Sequence, residues 1–241
     1  MNLFFYLRVF GVLLAGVTLS QPVVQAATAN APIPDENLDY SINWPSGLSL
    51  GEAHWKAHNS GTAQAPVWEF GFNAEAHIPA YGLSDSYYAK ASGAYCTDKL
   101  SKDEQHGSRK TDETETVDPK TLTATRTPSS GEGVSTLTVP DCVHDALSFL
   151  FFTRRELLSG RIPPPQTILF GGRYEVKLTP LGEEKIRSGD RTYDTDKYGC
   201  HVQGPSSSVD MDIYFARDAV RTPVRVRIPL AMGAFSVELE H

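Results

Sequence analysis

The chain has 241 residues, of which 40% are hydrophobic, and carries a net charge of −7. That apolar fraction supports a sizeable core and excludes wholesale disorder. The acidic balance excludes a general nucleic-acid binder, whose affinity rests on a basic surface.

Arg8 is the only charge ahead of an apolar run from Val9 to Leu19, and Val24-Gln25-Ala26 supplies a small-x-small cleavage site. This pattern predicts a cleavable signal peptide over residues 1–26 and therefore a periplasmic or secreted protein with no membrane span in the mature chain. Its removal takes the net charge from −7 to −8, because Arg8 is lost. The alternative is an uncleaved anchor, since Leu3 to Leu19 approaches the length of a bilayer span. Residues 27–37, with Pro32 and Pro34, read as a disordered lead-in to a single β-rich domain over residues 38–241.

Alternation then begins. Leu38, Tyr40, Ile42 and Trp44 fall on one face, with Asp39, Ser41 and Asn43 on the other. After the Pro45-Ser46-Gly47 turn, Leu50 to Ala57 returns as a strand, Trp68 to Ala74 alternates again, and Leu83 to Ala91 reads as a fourth. The segment from Arg109 to Arg126 is polar on both faces and folds about Asp118-Pro119-Lys120, so it is expected as a solvated hairpin at a sheet edge. Beyond Gly172, regular alternation recurs around Val176, Ile213, Val226 and Val237, with one face apolar and the other charged. That is the pattern of antiparallel sheet with a single wet side. Roughly ten to twelve such strands are expected.

One segment follows a different period. Val143, Ala146, Leu147, Leu150, Phe151, Leu157 and Leu158 mark one face of a helix, with Phe149 and Phe152 off it. Asp141 is the expected N-cap, Gly160 the left-handed stop, and Pro163 to Pro165 bar any continuation. A helix with apolar surface on most of its circumference needs a sheet to wrap it. The expected fold is therefore mainly β: a single curved antiparallel sheet, half-barrel or barrel-like, wrapped on one central α-helix.

Arg154 lies on the apolar face of that helix. A buried guanidinium costs several kcal/mol unless paired, so it must meet a carboxylate. Asp218, opening a loop between two strands, is the expected partner, and the pair is read as a strut rather than an anion site. His144 and Asp145 are assigned capping and dipole roles. Of the three cysteines, Cys96 and Cys142 are the preferred disulfide and Cys200 a buried small apolar residue, the other pairings being left open. His54, His58, His77 and Glu75 could converge as a metal site, but nothing in their spacing requires one, and no metal or other cofactor is expected. No G-x-S-x-G elbow, H-E-x-x-H motif or phosphate-cradling glycine loop is present, and no catalytic residue is assigned.

The run Asp145-Ala-Leu-Ser148-Phe-Leu-Phe-Phe-Thr-Arg154 with Gly160, the segments Ala216-Arg217-Asp218 and Arg221-Thr222-Pro223, and Gly51-Glu52-Ala53 with Trp55 resemble the domain-of-unknown-function 3108 family of exported bacterial proteins. The resemblance spans nearly all of the mature chain. It implies a signal peptide, an envelope location and a β-rich fold, and it brings no catalytic residues. The expected function is non-catalytic binding of a lipid or other amphipathic envelope ligand. The alternatives are a hydrolase acting on an envelope polymer and a structural or protein-interaction module.

Overall fold

A computed structural model describes residues 33–78, 81–230 and 233–240. The expected signal segment and residues 27–32 of the lead-in lie outside the described residues.

Eight strands come first: β1 (Glu36–Asn43), β2 (Ser49–Asn59), β3 (Val67–Ile78), β4 (Tyr81–Ser92), β5 (Thr97–His106), β6 (Arg109–Asp118), β7 (Thr123–Pro128) and β8 (Ser135–Thr138). Each pairs antiparallel with the next. A short β9 (His144–Asp145) runs straight into α1 (Ala146–Leu158). Then follow β10 (Gln166–Leu169), β11 (Arg173–Ser188), β12 (Arg191–Gln203), β13 (Ser208–Ala216), β14 (Pro223–Leu230) and β15 (Gly233–Leu239). These form a second meander, antiparallel except where β9 meets β10.

The two meanders join along β1 and β15, where Tyr40 faces Leu239, and all fifteen strands make one sheet with β8 and β9 at its ends. The ends do not pair with each other, so of the two expected forms the sheet takes the open one. It curls until its β9–β10 end packs against β5 to β8, where Ala124, Val139, Val143 and Leu169 form a small apolar cluster with Val117 and Leu137. The strand count exceeds the expectation, and β9, with only two residues, is too short to register as alternation.

The inner face of β2 to β4 alternates large and small residues across neighbouring strands. Phe70 sits opposite Ala57 on one side and Ala89 on the other, and Trp68 opposite Ala91. The alanines leave room for the rings, and the rings receive α1. Phe151, fully buried, meets Phe70 at 4.9 Å, Trp68 at 5.1 Å and Trp55 at 6.0 Å between centroids. Aromatic contacts of this kind add roughly 0.5–1.5 kcal/mol each beyond the area buried.

The helix begins four residues later than the sequence suggests. Asp145 rather than Asp141 is the N-cap: its carboxylate accepts from Leu147 N at 2.7 Å and Ser148 N at 3.0 Å, while Ser148 Oγ accepts from Asp145 N at 3.0 Å. Asp141 is exposed, and Cys142 has φ +55°, which no helix accommodates. The disulfide holds it there. At the other end the expected stop is present: Gly160 has φ +70°, its N–H reaches Leu157 O, and Arg161 N reaches Glu156 O. That is the Schellman pattern.

Cys96 and Cys142 are bonded, and Cys200 is free and buried. The bridge belongs to a clamp between residues 95–97 and 142–148. Thr97 N donates to Val143 O, His144 Nδ1 meets Tyr95 O, and Thr97 Oγ1 accepts from Asp145 N while donating to Asp145 Oδ2. Tyr95, like Cys142, has positive φ (+67°). Such non-glycine conformations cost about 1–3 kcal/mol each and persist only where the surroundings over-determine them.

The closed loop spans a sequence separation of 46, so Cys96→Ser or Cys142→Ser should lose about 2–4 kcal/mol in urea unfolding. Cys200→Ala should lose clearly less, since it leaves the clamp intact. Thiol titration of the denatured, unreduced protein should find a single reactive group; three would show that the bridge does not form.

Candidate functional site

Two faces of α1 do different things. Leu147, Phe151 and Arg154 turn toward the rings of β2 and β3 and are closed over. Ala146, Phe149, Leu150 and Thr153, at i, i+3, i+4 and i+7, turn toward the second meander. There they face Ile168 of β10, Val176 and Leu178 of β11, Cys200 and Val202 of β12, and Met211, Ile213 and Phe215 of β13.

Between helix and sheet lies an open cleft of about 200 Å³. Taking the ~30 Å³ share of a water molecule in the liquid as a unit, it holds on the order of half a dozen methylene-sized groups. The side chains of its walls are carbon except for the Met211 thioether and two further atoms that chemistry singles out. The Cys200 sulfur is one, its thiol pushed up to about 11 by burial, so it stays protonated and has little nucleophilic character. The Thr153 hydroxyl is the other. Thr153 is 1% exposed, and its Oγ1 has no hydrogen-bond partner among the described residues. At the far end of the β12–β13 pairing, Val209 stands opposite Val202 and is 41% exposed, leaving an apolar rim.

Arg154 is fully buried, as its position on the helix requires, but its partner is Glu36 and not Asp218. Its two terminal nitrogens reach Glu36 Oε1 at 2.5 Å and Oε2 at 2.9 Å, its Nε donates to Val220 O at 3.0 Å, and its plane lies over the Phe151 ring. Trp55 Nε1 also donates to Glu36 Oε1. Asp218 supports the pair from outside it. Its carboxylate accepts from Val220 N, Thr222 N and Thr222 Oγ1, folding the loop that presents Val220 O to Arg154. Asp218 lost the pairing because those three short-range donors hold it in its own loop. Glu36 won it because it opens β1, and Ile33 just ahead of it is 2% exposed, which fixes this segment against the core.

The remaining titratable groups also resolve. Asp145 is completely buried, and desolvation holds its carboxyl above the usual range although the cap and Thr97 donate to it. His144 is kept neutral by burial, stacked on Phe152 at 4.5 Å. His54 bonds to Asp39 across strands, His58 to Asp35 just ahead of β1, and His106 and His201 to Asp85 and Asp210.

The polar hairpin β6–β7 is near the sheet edge as expected, yet two of its glutamates are not solvated. Glu113 and Glu115 are 2% and 1% exposed and point inward. Glu113 pairs with Arg126 and Lys102, Lys102 meets Glu104 and the face of Phe170, and Glu115 Oε2 accepts from Gly171 N. The loop between β10 and β11 therefore covers what the sequence presents as an outer face.

An open, strongly curved antiparallel sheet wound on one helix, with an apolar cleft on one side of that helix, places this chain among small β-barrel-like proteins of extended-sheet type. The chain belongs to the family described as protein of unknown function (DUF3108), whose model matches residues 39–240. No curated protein matches the sequence. Among solved structures it is similar to a β-barrel-like protein of the unknown-function domain DUF1849 from Brucella abortus. The TM-score is 0.61 and the identity 6%, over 87% of this chain and 97% of that one, which shows a shared fold. A candidate exported protein with a YmcC-like fold from Bacteroides fragilis aligns at TM-score 0.32 and 10% identity, covering 87% and 97% of the two chains. Among the described residues, no helix is long and apolar enough to cross a membrane.

Arg154→Ala leaves Glu36 buried without its cation and should cost about 3–5 kcal/mol, and Arg154→Met should also be costly. The double variant Arg154→Met with Glu36→Leu should recover much of that loss, read from urea midpoints. A tolerated single Arg154→Met would sink the strut.

Glu115 gives a pH test. Burial raises its folded pKa above the ordinary 4.5, so as pH climbs past that value the unfolded chain ionises first and stability falls until the folded carboxyl ionises too. Glu115→Gln keeps an acceptor for Gly171 N. Its urea midpoint should therefore gain on wild type between pH 4 and pH 7. An advantage for wild type that widens toward pH 7 would reverse the assigned sign.

Proposed function

We propose that this is an exported, non-catalytic binding protein whose α1–β10–β13 cleft takes the hydrocarbon part of an amphipathic envelope ligand. The single observation behind this reading is the asymmetry of α1. One helix face is closed by Trp55, Trp68 and Phe70, and the other lines an apolar space that the side chains of the described residues do not fill. Interiors pack to near crystal density, so a persistent apolar space open to solvent is the default ligand site. Its width, one helix face against one sheet wall, suits a single alkyl chain with its polar head left at the rim near Val209.

Export is supported by the charged, apolar and small-residue order of residues 1–26 and by the Cys96–Cys142 bridge, a bond that persists in oxidising compartments. The acidic character that could suggest a polymer hydrolase is located elsewhere. Glu113 and Glu115 are engaged with Arg126, Lys102 and the Gly171 amide, covered by the β10–β11 loop.

Dodecanoate provides the test. Isothermal titration calorimetry should show saturable binding with negative heat-capacity change, and Val202→Phe, which fills the cleft from β12, should weaken it at least tenfold while keeping the urea midpoint. Binding undiminished in Val202→Phe, or no binding to wild type, would overturn the reading. Native mass spectrometry of protein taken from the exported fraction would supply the natural ligand's mass.

A further inference from the structure

The cleft is not uniformly apolar, and the exception is unusual. Thr153 sits on the α1 face that lines it, between the turn carrying Phe149 and Leu150 and the end of the helix. The side chain is 1% exposed, yet Oγ1 makes no hydrogen bond to any described residue. Buried hydroxyls in native proteins nearly always find a partner, because an unmade bond leaves the desolvation penalty uncompensated. Its neighbours on the same face and across the cleft are Phe149, Leu150, Leu178, Cys200 and Phe215, and among the described residues no carboxylate or carboxamide side chain lines the space to satisfy it. Valine has nearly the shape of threonine but no hydroxyl, and would fill this apolar wall without the penalty. A threonine here is therefore explained by something that enters the cleft and bonds to it.

We infer that the ligand is an acyl chain carrying an oxygen part-way along its length, a hydroxyl or an ester carbonyl, which hydrogen-bonds to Thr153 Oγ1. This rests on the cleft reading above and adds the chemistry that the tail must have. The arrangement is selective in one direction. A plain alkyl tail fills the cleft but leaves Thr153 unbonded, whereas an oxygenated tail satisfies that hydroxyl and its own oxygen together. The head group plays no part in this discrimination, since it lies outside the space that Thr153 faces.

The experiment compares dodecanoate with a positional series of its monohydroxylated forms by calorimetry, on wild type, Thr153→Val and Thr153→Ser. At least one isomer should bind wild type about tenfold more tightly than dodecanoate, the equivalent of one hydrogen bond. Thr153→Ser should keep that preference and Thr153→Val should abolish it. The ligand-free Thr153→Val protein should have a urea midpoint equal to or above that of wild type. A lower midpoint would mean that the hydroxyl is already bonded within the protein, and would overturn the inference. So would equal binding of every isomer and dodecanoate, or a preference that survives Thr153→Val. If dodecanoate binds and Val202→Phe weakens it while no isomer is preferred, the role of Thr153 falls and the cleft reading stands. If no probe binds, both fall.

Discussion

The Arg154–Glu36 pair is the constraint on which the rest depends. A fully buried guanidinium tolerates only an arrangement that supplies a bidentate carboxylate and an acceptor for the remaining nitrogen, and here these come from two distant parts of the chain, Glu36 and the Val220 carbonyl. Glu36 opens β1, the strand where the two meanders meet, and Val220 belongs to the loop joining β13 to β14. One side chain thus ties the helix to the middle of the sheet and to its second half. Trp55 Nε1, donating to the same carboxylate, extends the tie to β2. Such pairs add little net stability over apolar residues of similar volume, but removing either partner is costly, which makes the geometry specific.

The other end of α1 is held by different chemistry. Asp145 caps the helix while exchanging hydrogen bonds with Thr97, and the Cys96–Cys142 bridge fastens the same two segments. The helix is therefore anchored at its first turn by cap and disulfide and in its last turns by an ion pair. With its ends held, the face made by Ala146, Phe149, Leu150 and Thr153 need not be packed to keep the helix in place. An incompletely filled interior on one side becomes tolerable, and a cleft can persist there without collapse. The closed aromatic side and the open aliphatic side are two consequences of the same anchoring.

How far the sequence foretold this varied by feature, for reasons that differ. The helix, its glycine stop and the buried arginine were readable because each carries a local or chemical signature: a 3.6-residue period, a left-handed glycine, a charge on an apolar stripe. The helix start was misplaced at Asp141 because Asp141 and Asp145 are equally good caps by residue type. The choice between them was made by Thr97, which lies 48 residues from Asp145 in sequence. The polar hairpin misled in another way. Alternating Glu and Thr look the same whether the glutamates face water or a covering loop, and only Lys102, Arg126 and Gly171, arriving from other elements, reveal that Glu113 and Glu115 are inside.

Residue order alone decided that this chain would be strands around one helix, since alternation and end signals act over a few residues and need no knowledge of what lies across the sheet. It also required that Arg154 have an acid. Which acid was a matter for the tertiary structure, because Glu36 and Arg154 are 118 residues apart and nothing between them records the register that brings β1 beneath the helix. The same holds for the cleft. Thr153 reads as one more residue in a helix, and its significance arises only when β10 to β13 supply eight apolar side chains opposite it and none that its hydroxyl can reach. Local pattern sets which segments form. Burial and pairing between distant segments are set by how the sheet curls, and that is a property of all fifteen strands together.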